Sequence, residues 1–334
     1  MNARERVLAA LNHEEVDFPP VSAYVENNTL YDYFAPGEDD LLRAAAIVHR
    51  ALRVDITYQV GRPPRVEEAG PHGNTGAHIS GQTVWYEKPY KTIADLEVWQ
   101  PTEPNPGPAV QAAVERYAAV KAALEPETVV MRQGGAFLLY YQTGLELFAY
   151  ALEDRPSLLE AMIENRYAHV KAYIAGLCAH RPGPAFQICE DLGYKNGLLF
   201  SPDFLRRVYL PRLKELADII HGCGMKVIQH TDGNVTEILD ELVDAGIDGL
   251  NPLEGMDLAA VKQRYGKHLL LIGNVDTRVL SFGTPEDVRQ AVAANIRAGR
   301  GQGGHWLDTS AGEFMPDVPL HNALAYFDAA KTPG

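Results

Sequence analysis

The chain has 334 residues, 46 % of them apolar and 22 % charged, with a formal net charge of −14 at pH 7. That is enough apolar sequence for a large core in one to three domains. The acidic balance without a Lys/Arg cluster speaks against nucleic acid, and no run approaches the ~20 apolar residues of a membrane-crossing helix. Cys178, Cys189 and Cys223 are scattered, odd in number and without CxxC spacing, which fits a reducing, cytoplasmic setting better than a disulfide framework. No apolar segment of the signal-peptide kind opens "MNARERVLAALNHEEVD", which reads instead as a charged helix.

After that helix, "FPPVSAYVE" predicts a strand near residue 20, "DDLLRAAAIVHRAL" a helix and "RVDITYQV" a second strand. Residues 61–90 are rich in Gly and Pro and end in the alternating "TVWYE". They read as a hairpin excursion, suited to a lid or a dimer contact, and not as a separate domain. "TVVMRQ" is the third strand, and "ELFAYALEDRPSLLEAMIENRYAHVKAYIAGLCAH" is a helix pair split at Pro156. "AFQICED" is strand-like. Ser201 and Pro202 open the next helix as N-cap and first residue. The rhythm then tightens into "MKVIQH", a helix with Asn234 and Glu237 as capping box, "IDGLN", a helix, "HLLLIGN", a helix begun by Thr284 and Pro285, "GHWLD" and a last helix.

Eight strands near 20, 54, 128, 185, 225, 247, 268 and 304, alternating with helices, predict an α/β protein: an eight-stranded parallel β/α (TIM) barrel, one domain over 1–334. A doubly wound open sheet is the alternative, although no GxGxxG follows a strand. In a parallel barrel the functional groups sit at the C-terminal strand ends. These carry Tyr24 and Glu26, Tyr58, Arg132 and Gln133, Glu190 and Asp191, His230 and Asp232, Asn251 and Glu254, Asn274 and Asp276, and Asp308. Residues two apart in extended chain share a face, so His230 and Asp232 can both look into the mouth.

So many carboxylates around one imidazole either raise one another's pKa or demand a cation. A divalent metal on His230, Asp232 and one of Glu190 or Glu254 is one solution; a shared proton is the other. Each residue also has a plainer reading. His230 fits a hydrogen-bonded core histidine, Asp232 a shaper of the Gly-Asn turn, Asp276 a cap, Glu190 a helix-dipole partner and Glu254 a solvated loop. Cys189 alternates with Glu190 and reads as inert core.

At these residues the chain resembles a known family. "RERVLAALNHEEVDFPPV", "FQICEDLGYKNGLLFSPDFLRRVYLPRLKELAD", "HTDGN", "GIDGLNPLE", "IGNVDTRVL" and "MPDVPLHNALAYF" are together similar to the uroporphyrinogen decarboxylase superfamily, through nearly the whole chain. The resemblance implies an eightfold β/α barrel, often dimeric. It also implies one of two chemistries: cofactor-free decarboxylation of a tetrapyrrole, or zinc-dependent methyl transfer between a corrinoid protein and a thiol. The decarboxylase's arginine-rich N-terminal motif is missing from "PPVSAYVENNTL", whereas "GGAFLLYYQTG" resembles its tyrosine-bearing segment and puts Tyr140 or Tyr141 at the site. Where the methyltransferases have His-x-Cys and a second Cys, this chain has His230, Asp232 and Gly312, with Glu313 beside the last.

The expectation is therefore a metal-assisted methyltransferase acting on an O- or N-methyl compound, with a divalent metal, zinc by the resemblance, and a corrinoid partner protein. His230, Asp232, Glu190 and Glu254 are the metal candidates. Asp191, Asp276 and Tyr141 are the catalytic candidates, and Tyr58, Arg132 and Asn274 those that bind substrate. The rival expectations are a cofactor-free decarboxylase or lyase on a smaller substrate, and a non-catalytic barrel that carries a tetrapyrrole or corrinoid.

Overall fold

The computed structural model describes residues 1–61, 68–69, 75–79, 82–301 and 304–331, with the backbone alone for 68–69, 75–79 and 82–87. The parallel strands are β1 (Tyr24–Val25), β2 (Ile56–Thr57), β3 (Val129–Val130), β4 (Arg132–Gly134), β5 (Ala185–Cys189), β6 (Lys226–His230), β7 (Gly249–Asn251), β8 (Leu270–Ile272), β9 (His305–Trp306) and β10 (Glu313–Phe314). Six form one parallel ladder in the order β9-β8-β7-β6-β5-β4. β2 pairs with β3, and β1 with β10, also in parallel. Parallel bridges link Val21 to Leu307 and Ser22 to Ile56.

The helices between them begin and end largely where the caps predict. α1 (Ala3–Leu11) opens on an Asn2/Glu5 capping box. α2 (Leu41–Leu52) and α3 (Gly107–Leu124) follow; α4 (Leu145–Asp154) and α5 (Pro156–Cys178) separate at Arg155, immediately before Pro156. Ser201 caps the Pro202–Phe204 turn that leads to α6 (Leu210–Gly222), and Thr284 caps α7 (Pro285–Gly299) through a box with Asp287. The Asn234/Glu237 box does not form. Asn234 Oδ1 instead accepts from Thr236 N, and a 3-10 turn at Thr236–Ile238 precedes the helix. Asn234 thus closes a tight local turn, the usual competitor of a regular cap.

Strand alternation divides the interior. Met131, Ala185, Ile228, Leu270, Ile272 and Trp306 meet on one face of the sheet, closed at the N-terminal end by Val7, Ala10 and Leu11 of α1. Phe186, Ile188, Val227, Leu250 and Leu271 face the other way, under the helices. Within 61–90 the described backbone forms three antiparallel strands, Glu68–Ala69, Thr75–Ile79 and Gln82–Glu87. Residues 62–67, 70–74 and 80–81 of that segment lie outside the described residues. No helix of the described residues is long and apolar enough to cross a membrane.

Candidate functional site

β6 delivers the histidine. Ile228 and His230 share the face that carries Met131 and Trp306, so the imidazole ends the strand pointing into a cavity of about 1050 Å³ at the C-terminal edge of the sheet. Its Nδ1 lies 2.8 Å from Oδ1 of Asn251, its register partner on β7. An amide oxygen only accepts, so Nδ1–H donates and Nε2 is left toward the cavity. Nε2 stands 3.8 Å from Asp191 Oδ1 and 3.7 Å from Asp232 Oδ1.

Both carboxylates are held from behind. Tyr141 OH donates to Asp191 Oδ2 at 2.5 Å, and the backbone N–H of Asp232 donates to Asp191 Oδ1 at 3.0 Å. Asp232 is half exposed as a side chain, yet its Oδ1 is covered and has no hydrogen-bond partner. One ligand atom from each of Asp191, His230 and Asp232 fits within 4.8 Å of the others. Burial first, then Asp191 and Glu254, raise the Asp232 carboxyl to about 6 against the opposing pull of His230. Burial opposes charge on His230, but Asp232 and Asp191 outweigh it and raise its pKa. The acids thus call for a positive charge, which a proton on His230 or a cation supplies. One imidazole nitrogen and two carboxylate oxygens, one of them an orphan, suit a divalent cation with positions left for substrate.

A second layer of acids lies behind this group. Asp308 is fully buried with Oδ2 unpartnered, and burial raises it to about 7. Burial, with Glu26 adding to it, also lifts Glu313 to about 7. Gly312, at the position of the second cysteine, has φ +69; a Cβ there would stand 2.8 Å from Asn251 Oδ1 and 3.5 Å from His230 Cε1. A side chain would therefore push the amide off the imidazole.

The remaining expected residues are scattered. Glu190 turns away from the cavity: Cys189 takes the inward place on β5, and the Glu190 carboxylate accepts from Phe137 N at 2.7 Å and Leu138 N at 2.8 Å in the core. The alternation of this pair is as expected, but the faces are exchanged, and it is Cys189 that lines the cavity. Glu254 accepts from Gly233 N at 2.9 Å and shapes the turn after His230. Asp276 caps α8 (Thr277–Phe282) and pairs with Arg278 at 2.7 Å. Asn274 ties a loop, donating to Leu253 O and Met256 O. Tyr58 lines the cavity and donates to the Gly312 carbonyl. Arg132 lines it from the opposite face of the sheet. The sequence places Asn251 and Gln133 at strand ends without a specific role and does not point to Gln187 or Gln59, yet on the inward floor Gln187 donates to Gln133 at 3.0 Å and Gln133 to Gln59 at 2.9 Å. Strand alternation from His230 and Cys189 is the signal that could have found Gln187.

A parallel α/β sheet with an imidazole and two carboxylates gathered at its C-terminal edge defines the class. The family model for uroporphyrinogen decarboxylase (URO-D) matches residues 77–333, and the chain belongs to this family. It is 26 % identical over 257 residues to a uroporphyrinogen decarboxylase of Prochlorococcus marinus (strain MIT 9313), covering 74 % of this chain and 70 % of the relative. A second, from strain MIT 9303, is 26 % identical over 258 residues, covering 73 % and 69 %. Among solved structures, a methyltransferase from Methanosarcina mazei superposes with a TM-score of 0.70 at 18 % identity, covering 99 % of this chain and 98 % of that one. At that identity the likeness is one of fold.

Proposed function

We propose that this chain is a metal-assisted methyltransferase acting on an O- or N-methyl compound, with the methyl group passing to or from the corrinoid of a partner protein seated over the cavity mouth. The observation that carries the reading is the convergence of Asp191, His230 and Asp232 on one point, with the Asp232 oxygen left unpartnered. A divalent cation held there, zinc in the first instance, supplies a Lewis acid hard enough to polarise an oxygen or nitrogen leaving group. The protein's own part is orientation. Asn251 fixes the imidazole with Nε2 forward, Tyr141 fixes Asp191, and Tyr58 fixes the loop that carries Gly312. Bridges from Val21 to Leu307 and from Ser22 to Ile56 favour closure of the strands into an eight-stranded β/α barrel, one domain over 1–334, with the site at its mouth.

A second reading, cofactor-free decarboxylation, draws support from Asp308 and Glu313. Burial raises each to about 7; Glu313 lines the cavity, where a carbanion would need a proton, and Asp308 lies buried behind it. A tetrapyrrole polycarboxylate suits it poorly, because its acetate arms would meet Asp191 and Asp232.

Metal titration of the purified chain separates the two. Zinc, cobalt or manganese is expected to bind at one equivalent, and His230→Ala or Asp232→Asn to weaken binding about 100-fold, the scale on which metal sites respond to lost ligands and their supports. A chain that refuses all three metals, and releases carbon dioxide from a candidate acid after chelation, overturns the methyltransferase reading in favour of the second.

A further inference from the structure

The cavity has two ends of opposite sign. Among the described residues every carboxylate in its lining, Asp191, Asp232 and Glu313, belongs to the strand-end group described above. The cavity also runs over the top of β4 into a wing between α3 and α5, lined by Arg116 and Tyr117 of α3, Arg166 and Tyr173 of α5, and Arg132 of β4. Val130 lies on the helix-facing side of this strand segment and Met131 on the other, so alternation sends Arg132 out into the wing.

Arg132 stands out there. Its Nε is buried and has no hydrogen-bond partner, and its guanidinium makes no ion pair among the described residues. Arginine is placed in a covered site at a cost in lost hydration, which an anion with two oxygens offsets well. Arg116 spends one donor on the Val60 carbonyl at 2.9 Å. Burial pushes the Arg166 guanidinium below its ordinary value, and Glu190 only partly opposes this. Three guanidinium groups thus border one wing whose lining holds no acid among the described residues, in a chain of net charge −14. Tyr117 and Tyr173 add aromatic wall to the wing.

We propose that the wing between α3 and α5 is a subsite for an oxyanionic group of the substrate, carboxylate or phosphate, with Arg132 as its two-pronged partner and Arg116 and Arg166 supplying field. The inference rests on the function proposed above and sharpens it: the substrate is bipolar, its anion in the arginine wing and its methylated heteroatom at His230. The same field sets the direction of entry, because a ligand bound the other way round would place its anion against Asp191 and Asp232.

Calorimetric titration of the full chain at low salt tests this, after chelation so that no cation can capture the probes. Benzoate and phenyl phosphate are the anionic probes, and benzyl alcohol the neutral one. At least one anion is expected to bind about 10-fold more tightly than the alcohol, with Arg132→Gln erasing the difference and Arg132→Lys keeping part of it. The stronger of the two anions identifies carboxylate or phosphate, and circular dichroism verifies that each variant folds. Equal affinity for anion and alcohol, or anion binding unchanged in Arg132→Gln, overturns the subsite. The two proposals fail separately. Anion binding that depends on Arg132 in a chain that takes up no metal leaves the subsite standing alone. Metal uptake abolished by His230→Ala, beside anion binding indifferent to Arg132, leaves the metal site alone.

Discussion

The rim of β5 and β6 and the rim of β7 and β8 carry the same kinds of side chain in opposite states. On the first, Asp191 and Asp232 face an imidazole, and one Asp232 oxygen has nothing to bond. On the second, Glu254 already takes the Gly233 N–H, and Asp276 takes both the Arg278 N–H and its guanidinium. Glu190, next to Asp191 in sequence, gives Oε2 to two backbone amides in the core, and its unpartnered Oε1 is buried there and does not line the cavity. A carboxylate at a strand end is therefore not a site residue by position. What decides is whether it turns an unsatisfied acceptor toward the cavity, because only such an acceptor pulls a ligand in.

The largest expected effect comes from removing a carboxylate whose hydrogen bonds all go to the core. Glu190→Leu leaves the buried amides of Phe137 and Leu138 without an acceptor, and should cost about 3 kcal/mol of unfolding free energy in urea. Glu190→Gln keeps one accepting oxygen and should cost about 1 kcal/mol. A Leu variant as stable as the parent would break the distinction between carboxylates turned to the core and carboxylates turned to the cavity at its strongest point.

Much of this architecture is legible in the sequence, because strand runs such as "KVIQH" and "LLLI" are short, apolar and bounded by capped helices. The Ser201-Pro202 and Thr284-Pro285 starts need only local chemistry, and they form as read. Local pattern fails where the outcome depends on a neighbour. A period of two says that Cys189 and Glu190 oppose each other, but the inward face is set by register with β6, where Cys189 lies beside His230. The exchange of roles between Glu190 and Asp191 follows from that one fact. The arginine wing is further out of reach, since it needs α3 and α5 packed on either side of β4. Asn234 was misread because an Asx turn and a capping box begin with the same residue.

Two histidines sharpen the comparison by pH. His230 is raised by its acids, whereas His305 on β9 is buried, bonds the Gly273 carbonyl and is lowered by burial to about 4. A base lowered on folding favours the neutral native state. Its stability contribution is complete above about pH 6.5 and is lost as pH falls toward 4, with a limiting slope of about 1.4 kcal/mol per pH unit. His305→Gln keeps a donor for Gly273 and should flatten that acid limb in urea melts run from pH 7 to 4. His49, also buried and lowered to about 4, accounts for part of the slope that remains. An unchanged limb would mean that His305 is not held neutral by burial.

The smallest expected effect is the one that most directly separates the rims. Asp276 looks like a site residue by position and like a cap by geometry: it accepts from Arg278 N at 2.9 Å as the N-cap of a six-residue helix. Asp276→Ala should cost about 1 kcal/mol through the lost cap, while the exposed pair with Arg278 adds little. Arg278 holds the carboxyl below its usual range, so this contribution persists above about pH 4 and fades as acid protonates the group. Metal affinity should stay within about twofold of the parent, since nothing near His230 has moved, whereas Asp232→Asn removes a ligand and its charge. A tenfold fall in metal affinity on Asp276→Ala would return Asp276 to the site. The partition between the two rims would then follow their position along the sheet after all, and not the satisfaction of their lone pairs.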